Sequence, residues 1–468
     1  MIEAAQKIAR VSFTREEQQA IVTRINATRG YMAGFAFLRT ANLGNSAQPA
    51  IVFNPVPPGK FVPSSPRFLR RTAPVVSKPA TDEALAFLPV THLAKLIESR
   101  QVKPSELTEL YLSRLAKYDP TLRCVVSLTT ELGRAQAKQA DDEIAAGKYR
   151  GPLHGIPFGL KDLFAVKGTK TTWGASPFKD QVIDADATVY LKLRDAGAIL
   201  VAKLSTGALA LSAQWFGGLT RNPWNTQQDA AGSSAGPGSA TAAGLVGFSI
   251  GSDTGGSVIQ PAARNGVTGM RPTFGRVSRH GAMALAWTQD TVGPLCRSAE
   301  DCALVFNAIY GPDGKDNSVL DVPFGWDAAA DVTKLRVGYL RSAFGDTPAP
   351  AGSTVSLHLA TRRNNEDALK VIRSLGIEPV PFDLPEVNMA AIDFIRYAET
   401  AAAFDDITRD GRLSEIENGP EQSRRPAEIR PGRFIPAVEY IQANRYRLRV
   451  MEQLDAAMAK LDLFIGAD

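Results

Sequence analysis

Gly, Ala and Ser crowd residues 232–269. Side chains this small fill almost no volume. Backbone in that run must therefore lie directly against other backbone or against a ligand. Short apolar runs broken by glycine flank it. Ile156–Leu160 and Ala198–Ala202 read as buried strands, and Thr188–Ala196 between them reads as a helix. This is an α/β alternation. Further helices are expected at Pro89–Arg100, from Lys103 onward, at Glu131–Ala146, Ala299–Ile309 and Ala360–Leu375. Strands are expected at Leu335–Tyr339 and Glu378–Phe382.

The first part of the chain has another texture. Thr14-Arg-Glu-Glu17 is a capping-box pattern, and Ile21, Ile25 and the Tyr31–Leu38 stretch carry an apolar face behind it. Pro49, Pro55, Pro57, Pro58, Pro63, Pro66, Pro74 and Pro79 then forbid regular helix or a central strand. These shifts divide the chain into an N-terminal helical extension (1–44), a proline-rich arm or linker (45–87) and a large α/β body (88–468).

Charge excludes some functions. Basic residues number 53 and acidic residues 48, a net +5 on 468 residues. Dense basic runs are confined to Arg67–Arg71 and Arg424–Arg430, so nucleic acid is not expected as the primary ligand. Cys124, Cys296 and Cys302 are scattered, odd in number and lack a CxxC pair. They read as small buried residues in a reducing compartment, not as a zinc site or a disulfide framework. No apolar run approaches the roughly 18 residues of a membrane span. The first 30 residues lack the order of an export signal. A cytoplasmic address with no membrane partner is expected.

Two serine-bearing segments can carry chemistry. Gly232-Ser233-Ser234-Ala235-Gly236 matches G-x-S-x-G, which alone suggests a hydrolase nucleophile elbow at Ser234. An elbow follows a buried strand, but Asn225–Asp229 is polar. Of His92, His154, His280 and His358, only two follow Ser234, neither in a distinctive loop. In the second segment, Gly251-Ser252-Asp253-Thr254-Gly255-Gly256-Ser257, paired glycines let successive N–H groups converge on one point. A serine just after such a nest is placed to attack the carbonyl whose oxyanion the nest holds. By itself this segment is more readily a structural turn.

Taken together, the segments resemble the amidase signature family of serine hydrolases. Gly151-Pro-Leu-His-Gly-Ile-Pro-Phe-Gly-Leu-Lys161-Asp162 resembles its lysine segment. Asn222-Pro-Trp-Asn225 with Gly232-Ser233-Ser234 resembles its Gly/Ser-rich segment. Gly251–Ser257, trailed by Pro261-Ala-Ala263 and Gly269–Arg276, resembles its nucleophile segment. The resemblance implies an α/β fold with a large twisted mixed β-sheet sandwiched between helical layers. It implies Ser257 as nucleophile, Ser233 (on a cis peptide bond in the family) as proton relay and Lys161 as base. The oxyanion hole would come from the N–H groups of Thr254, Gly255, Gly256 and Ser257. No metal or organic cofactor is implied.

The physical chemistry suits these roles. An ordinary lysine is charged at neutral pH and cannot accept a proton, but burial disfavours the ammonium form. A hydroxyl relays a proton because it donates and accepts at once. The competing role for Lys161 is an ion pair with Asp162. Ala231 and Ala235 replace family glycines, Pro237 replaces a small polar residue, and Ile259 replaces an arginine. A less charged pocket, suited to an apolar or aromatic group, is the expectation. Trp215, Phe216, Ser234 and Trp287 are the candidates for substrate contact; Trp173 also lies near the motifs.

The expected activity is hydrolysis of linear carboxylic amides, with carbamates (urethanes) and esters as alternatives through the same residues. A second alternative is the amidase subunit of an aminoacyl-tRNA amidotransferase complex; a third is a catalytically dead binding module. The expected ligand is a small amide, carbamate or ester, and self-association is left open. Leu461-Asp-Leu-Phe-Ile465 resembles a strand that in the family is followed by more of the domain, so a shortened C-terminus is also an expectation.

Overall fold

The computed structural model describes residues 2–9, 12–26, 36, 40, 44–45, 47, 51–60, 68–69, 75–344 and 355–466. They fall into two compact units. The larger comprises 1–53, 75–321 and 394–440; the smaller comprises 54–74, 322–393 and 441–468.

The larger unit is built on a six-stranded mixed sheet. Its strands are β1 (Val125–Leu128), β2 (Pro157–Lys161), β3 (Ile199–Leu204), β4 (Phe248–Asp253), β5 (Thr268–Gly269) and β6 (Thr291–Cys296). Their order is β1-β3-β2-β4-β6-β5. The central β3-β2-β4 strands run parallel, with Leu160 opposite Lys203 on one side and Ile250 on the other. β1 joins β3 antiparallel, and β6 joins β4 antiparallel. All residues of β2 and β3 are buried, which explains why both strands are apolar except for one lysine each, Lys161 and Lys203. Phe158 stacks on Phe248 across the β2–β4 pair with centroids 5.3 Å apart.

Helices cover this sheet. Ahead of the body in sequence lie α1 (Ile2–Ala9) and α2 (Arg15–Asn26). Then come α3 (Val90–Glu98), α4 (Pro104–Leu122), α5 (Thr130–Ala145), α6 (Thr188–Asp195), α7 (Ala235–Ala242), α8 (Ile259–Asn265) and α9 (Ala299–Ile309). α5 packs on β3, α7 on β4 and α9 on β6. Local signals account for several ends. At α2 the Glu17 side chain accepts from Thr14 N at 2.7 Å while Glu17 N donates to Thr14 Oγ1 at 3.2 Å, which is a closed capping box. α4 begins at Pro104, whose missing N–H costs a helix start nothing. Of the apolar stretch expected at Tyr31–Leu38, only Ala36 lies within the described residues.

In the smaller unit, Val337–Leu340 sits between the parallel strands Val380–Phe382 and Leu463–Ile465. Phe382 and Phe464 meet across it at 5.2 Å. Helix Val355–Ser374 precedes the Val380 strand. Among the described residues no helix is long and apolar enough to cross a membrane, and Cys124, Cys296 and Cys302 are buried free thiols.

Candidate active site

The parallel strands β2 and β4 end side by side, and each delivers polar residues at its C-terminal end. β2 ends on Lys161, and β4 ends on Ser252 and Asp253. The Gly232–Ser234 segment crosses next to them and runs into α7. Its approach depends on glycine at two points. A Cβ on Gly232 would stand 1.8 Å from Ser212 O, and one on Gly251 would stand 2.6 Å from Ser234 Oγ. The peptide Gly232–Ser233 is cis.

These segments surround the Lys161 amine with hydroxyls. Lys161 Nζ donates to Ser233 Oγ at 2.8 Å, Ser252 Oγ at 2.9 Å and Ser234 Oγ at 3.0 Å, with Ser252 O at 3.3 Å. Lys161 is fully buried, and that burial pushes its pKa down to about 7, against the smaller opposing pull of Asp253 and Asp290. Among the described residues no carboxylate lies within ion-pair distance of it. Asp162, its neighbour in sequence, faces elsewhere: its Oδ1 pairs with the buried Lys203 Nζ at 2.9 Å, and its Oδ2 accepts from Thr172 N at 2.8 Å. The competing role, a Lys161–Asp162 ion pair, is therefore absent.

Ser257 follows the Asp253–Gly256 turn. Ser234 N donates to Ser257 O at 3.0 Å, tying the Ser257 backbone to the Ser233–Ser234 segment. The turn itself is organised by Asp253. Its Oδ1 accepts from Gly256 N at 2.7 Å and Arg271 Nε at 2.9 Å, and its Oδ2 accepts from Val258 N at 2.7 Å. This corrects one expectation: the Gly256 N–H is already engaged by the carboxylate and does not point into a shared oxyanion site. The N–H groups of Thr254, Gly255 and Ser257 make no hydrogen bond to any described residue. Asp253 has no role in the sequence reading, although the signal for it is there. An Asp two or three residues before paired glycines commonly captures their N–H groups in a tight turn.

A cavity of about 290 Å³ adjoins Ser252 and Thr254. Trp287 lines it, with Leu163, Met283, Leu285, Arg279, Asp290 and Lys315. The wall thus carries more charge than the sequence leads one to expect. The other aromatic candidates do not line it. Trp215 is buried, donates its indole N–H to Arg123 O at 3.2 Å and packs edge-on against Phe216 at 4.9 Å. Ser234 is spent on Lys161 and on Ser252 O at 3.1 Å. Two wall residues escape sequence reasoning altogether. Asp290, whose carboxyl burial pushes upward in pKa, accepts from Thr254 Oγ1 at 2.6 Å and Leu285 N at 2.8 Å. Asn45 reaches the wall from the N-terminal part of the chain: Ala284 N donates to its Oδ1 at 2.7 Å, and its Nδ2 donates to Ala284 O at 2.9 Å.

A buried amine that is half neutral near pH 7, ringed by hydroxyls and set beside a turn with free N–H donors, can move a proton to and from a serine and hold a developing oxyanion. The sequence profile of the Amidase family matches residues 106–467. A glutamyl-tRNA(Gln) amidotransferase chain of Azoarcus sp. (strain BH72), the one designated A in that enzyme, is 35% identical over 411 residues, covering 81% of this chain and 82% of that protein. The native peptide amidase of Stenotrophomonas maltophilia superposes with a TM-score of 0.67 at 28% identity, covering 80% of this chain and 82% of that one. A structure described as a vestigial protein complex that reveals the evolutionary origins of an s-triazine catabolic enzyme superposes with a TM-score of 0.71 at 29% identity, covering 81% of each chain.

Proposed function

The chain belongs to the amidase family, acting on C–N bonds, and from that premise we propose that it hydrolyses linear carboxylic amides through an acyl-enzyme on Ser257. One observation carries the reading: the Lys161 amine, buried and half neutral near pH 7, lies 2.8 Å from Ser233 Oγ with no carboxylate among the described residues to hold its proton in place.

That geometry supports the following steps. Lys161 takes the Ser233 hydroxyl proton as Ser233 takes that of Ser257. Ser257 Oγ attacks the amide carbon, and the oxyanion is met by the N–H groups of Thr254, Gly255 and Ser257. Collapse breaks the C–N bond. The proton returns from Lys161 through Ser233 to the departing amine. Water then attacks the acyl ester along the same relay and frees the acid and Ser257. The Ser233–Ser257 contact is the one this reading requires to tighten on substrate binding, as catalytic hydrogen bonds commonly do. Carbamates and esters offer the same carbonyl to the same groups and are included in the proposal as secondary substrates.

The test is intact mass after exposure to a fluorophosphonate. Wild type gains one adduct, Ser257→Ala gains none, and Lys161→Ala labels far more slowly. Equal labelling of all three proteins, or none of wild type, overturns the reading.

The 35% identity to an amidotransferase chain favours a second reading, in which the same chemistry releases ammonia inside a multi-subunit amidotransferase. Size-exclusion chromatography and amide turnover by the isolated chain separate the two. Turnover by the chain alone supports the hydrolase; turnover that appears only with added partner subunits supports the assembly.

A further inference from the structure

The cavity beside Ser252 and Thr254 contains an unmatched set of polar groups. Its walls are apolar along Leu163, Met283 and Leu285. Three charged side chains line it: Arg279, Asp290 and Lys315. Two are satisfied by the protein. Arg279 Nε meets Asp316 Oδ2 at 2.9 Å and its Nη2 meets Ser318 Oγ at 2.8 Å. Asp290 accepts from Thr254 Oγ1 and from the N–H groups of Leu285 and Ala286. Lys315 is exposed and forms no ion pair with any described residue. On the same wall, Trp287 Nε1 and His280 Nδ1 are buried without a hydrogen-bond partner among the described residues. A buried indole N–H left unmatched is costly, and such groups normally find an acceptor.

An apolar chain in this cavity would suit the apolar wall but leave the Trp287 N–H without an acceptor, and a neutral polar one would leave Lys315 without a counter-charge. A cationic chain would meet Arg279 and Lys315 with like charge, and the carboxylate in the lining, Asp290, already accepts three hydrogen bonds. A carboxylate on an apolar stem answers the apolar wall, the Trp287 N–H and Lys315, since it is acceptor-only and anionic. We infer that this cavity is a subsite for an amide substrate whose bound arm ends in a carboxylate, with Lys315 as its counter-charge. The inference rests on the amidase reading, because Ser252 and Thr254 join the cavity to the Lys161 and Ser257 machinery.

The probes are glutaryl 4-nitroanilide and pentanoyl 4-nitroanilide, which share chain length and leaving group and differ in the terminal carboxylate. Calorimetric titration into the full-length Ser257→Ala protein reads binding without turnover. The glutaryl compound should bind at least about tenfold more tightly, the scale of one charge-assisted contact. Adding Lys315→Gln should remove that preference without weakening the pentanoyl compound, and adding Lys315→Arg should keep it. Equal binding of the two anilides, no binding of either, or a preference unchanged in Lys315→Gln overturns the subsite. Fluorophosphonate labelling of wild type is read in parallel. Labelling without the anilide preference sinks the subsite alone, and the preference without labelling sinks the acyl-enzyme alone.

Discussion

Two lysines lie fully buried on adjacent strands of this sheet, and the difference between them is the chemistry. Lys203 has a carboxylate, Asp162, at 2.9 Å; among the described residues Lys161 meets only hydroxyls and a carbonyl. Successive side chains alternate faces along a strand, so Asp162, next to Lys161 in sequence, serves the neighbouring strand instead. Burial lowers the pKa of both lysines, and for Lys161 it reaches about 7. In the proposed mechanism the neutral amine is the active form. kcat/KM should therefore rise with pH through an apparent pKa near 7 and fall tenfold per unit below it; a flat profile between pH 5.5 and 8.5 would remove Lys161 as the base. Lys161→Ala should lower kcat/KM at least about a thousandfold, as loss of a catalytic base does elsewhere. The Lys203 pair makes a separate prediction. Asp162→Asn strands a buried cation and should cost about 3–5 kcal/mol in denaturant unfolding. Replacing both partners by apolar residues should recover most of that, and failure of Asp162→Asn to destabilise would mean that Lys203 sheds its proton at little cost.

At the scale of elements, the site is a meeting of two strand ends with two irregular segments. The strands were legible because each is a five-residue, mostly apolar run entered from a glycine, Gly155 or Gly197, a length that suits a buried strand; β2 and β3 begin within a residue of the expected ranges. The irregular segments were not. Leu209, Ala210 and Ser212 adopt positive φ values of 47°, 59° and 60°, and the buried Arg425 holds the first two through their carbonyls at 3.0 and 2.6 Å. Asn45 likewise binds the backbone of Ala284. Such contacts leave no residue-type pattern at the accepting end, because every residue has a carbonyl. Arg425→Met should therefore cost about 3 kcal/mol, from buried acceptors left unpaired. It should also raise KM more than it lowers kcat, since Ala210 lines the cavity and not the Lys161 ring; a pure kcat loss would place the segment closer to the reacting atoms. Ala231 tells a related story. It takes a φ of 54°, a region that penalises a Cβ. Ala231→Gly should raise stability by about 1 kcal/mol in thermal melts, the relief of a left-handed alanine. A lower melting temperature would show that the methyl packs well enough to outweigh its backbone cost.

For the molecule as a whole, the proposed role of Lys161, a base kept neutral by burial, would link catalysis to the stability of the fold. The unfolded chain holds the Lys161 proton up to the ordinary value of 10.5, whereas the folded protein releases it near 7. Between those values the unfolded state binds the extra proton, so raising the pH favours the folded state. Below about 7 both states hold the proton and the cost of burying the amine is complete; above about 10.5 neither holds it and the cost is gone. Within that window the slope is about 1.4 kcal/mol per pH unit. Other groups contribute to the raw curve, including Lys192 and Lys203, whose pKa values burial also lowers. The difference between wild type and Lys161→Met cancels them, because every other group is common to both. That difference, from urea unfolding at several pH values, should shift toward wild type by about 1.4 kcal/mol per unit between about pH 7.5 and 9.5. A difference independent of pH would mean that Lys161 stays charged in the folded protein near neutrality. An ammonium cannot accept the Ser233 proton, so the same result would remove the step on which the acyl-enzyme reading depends.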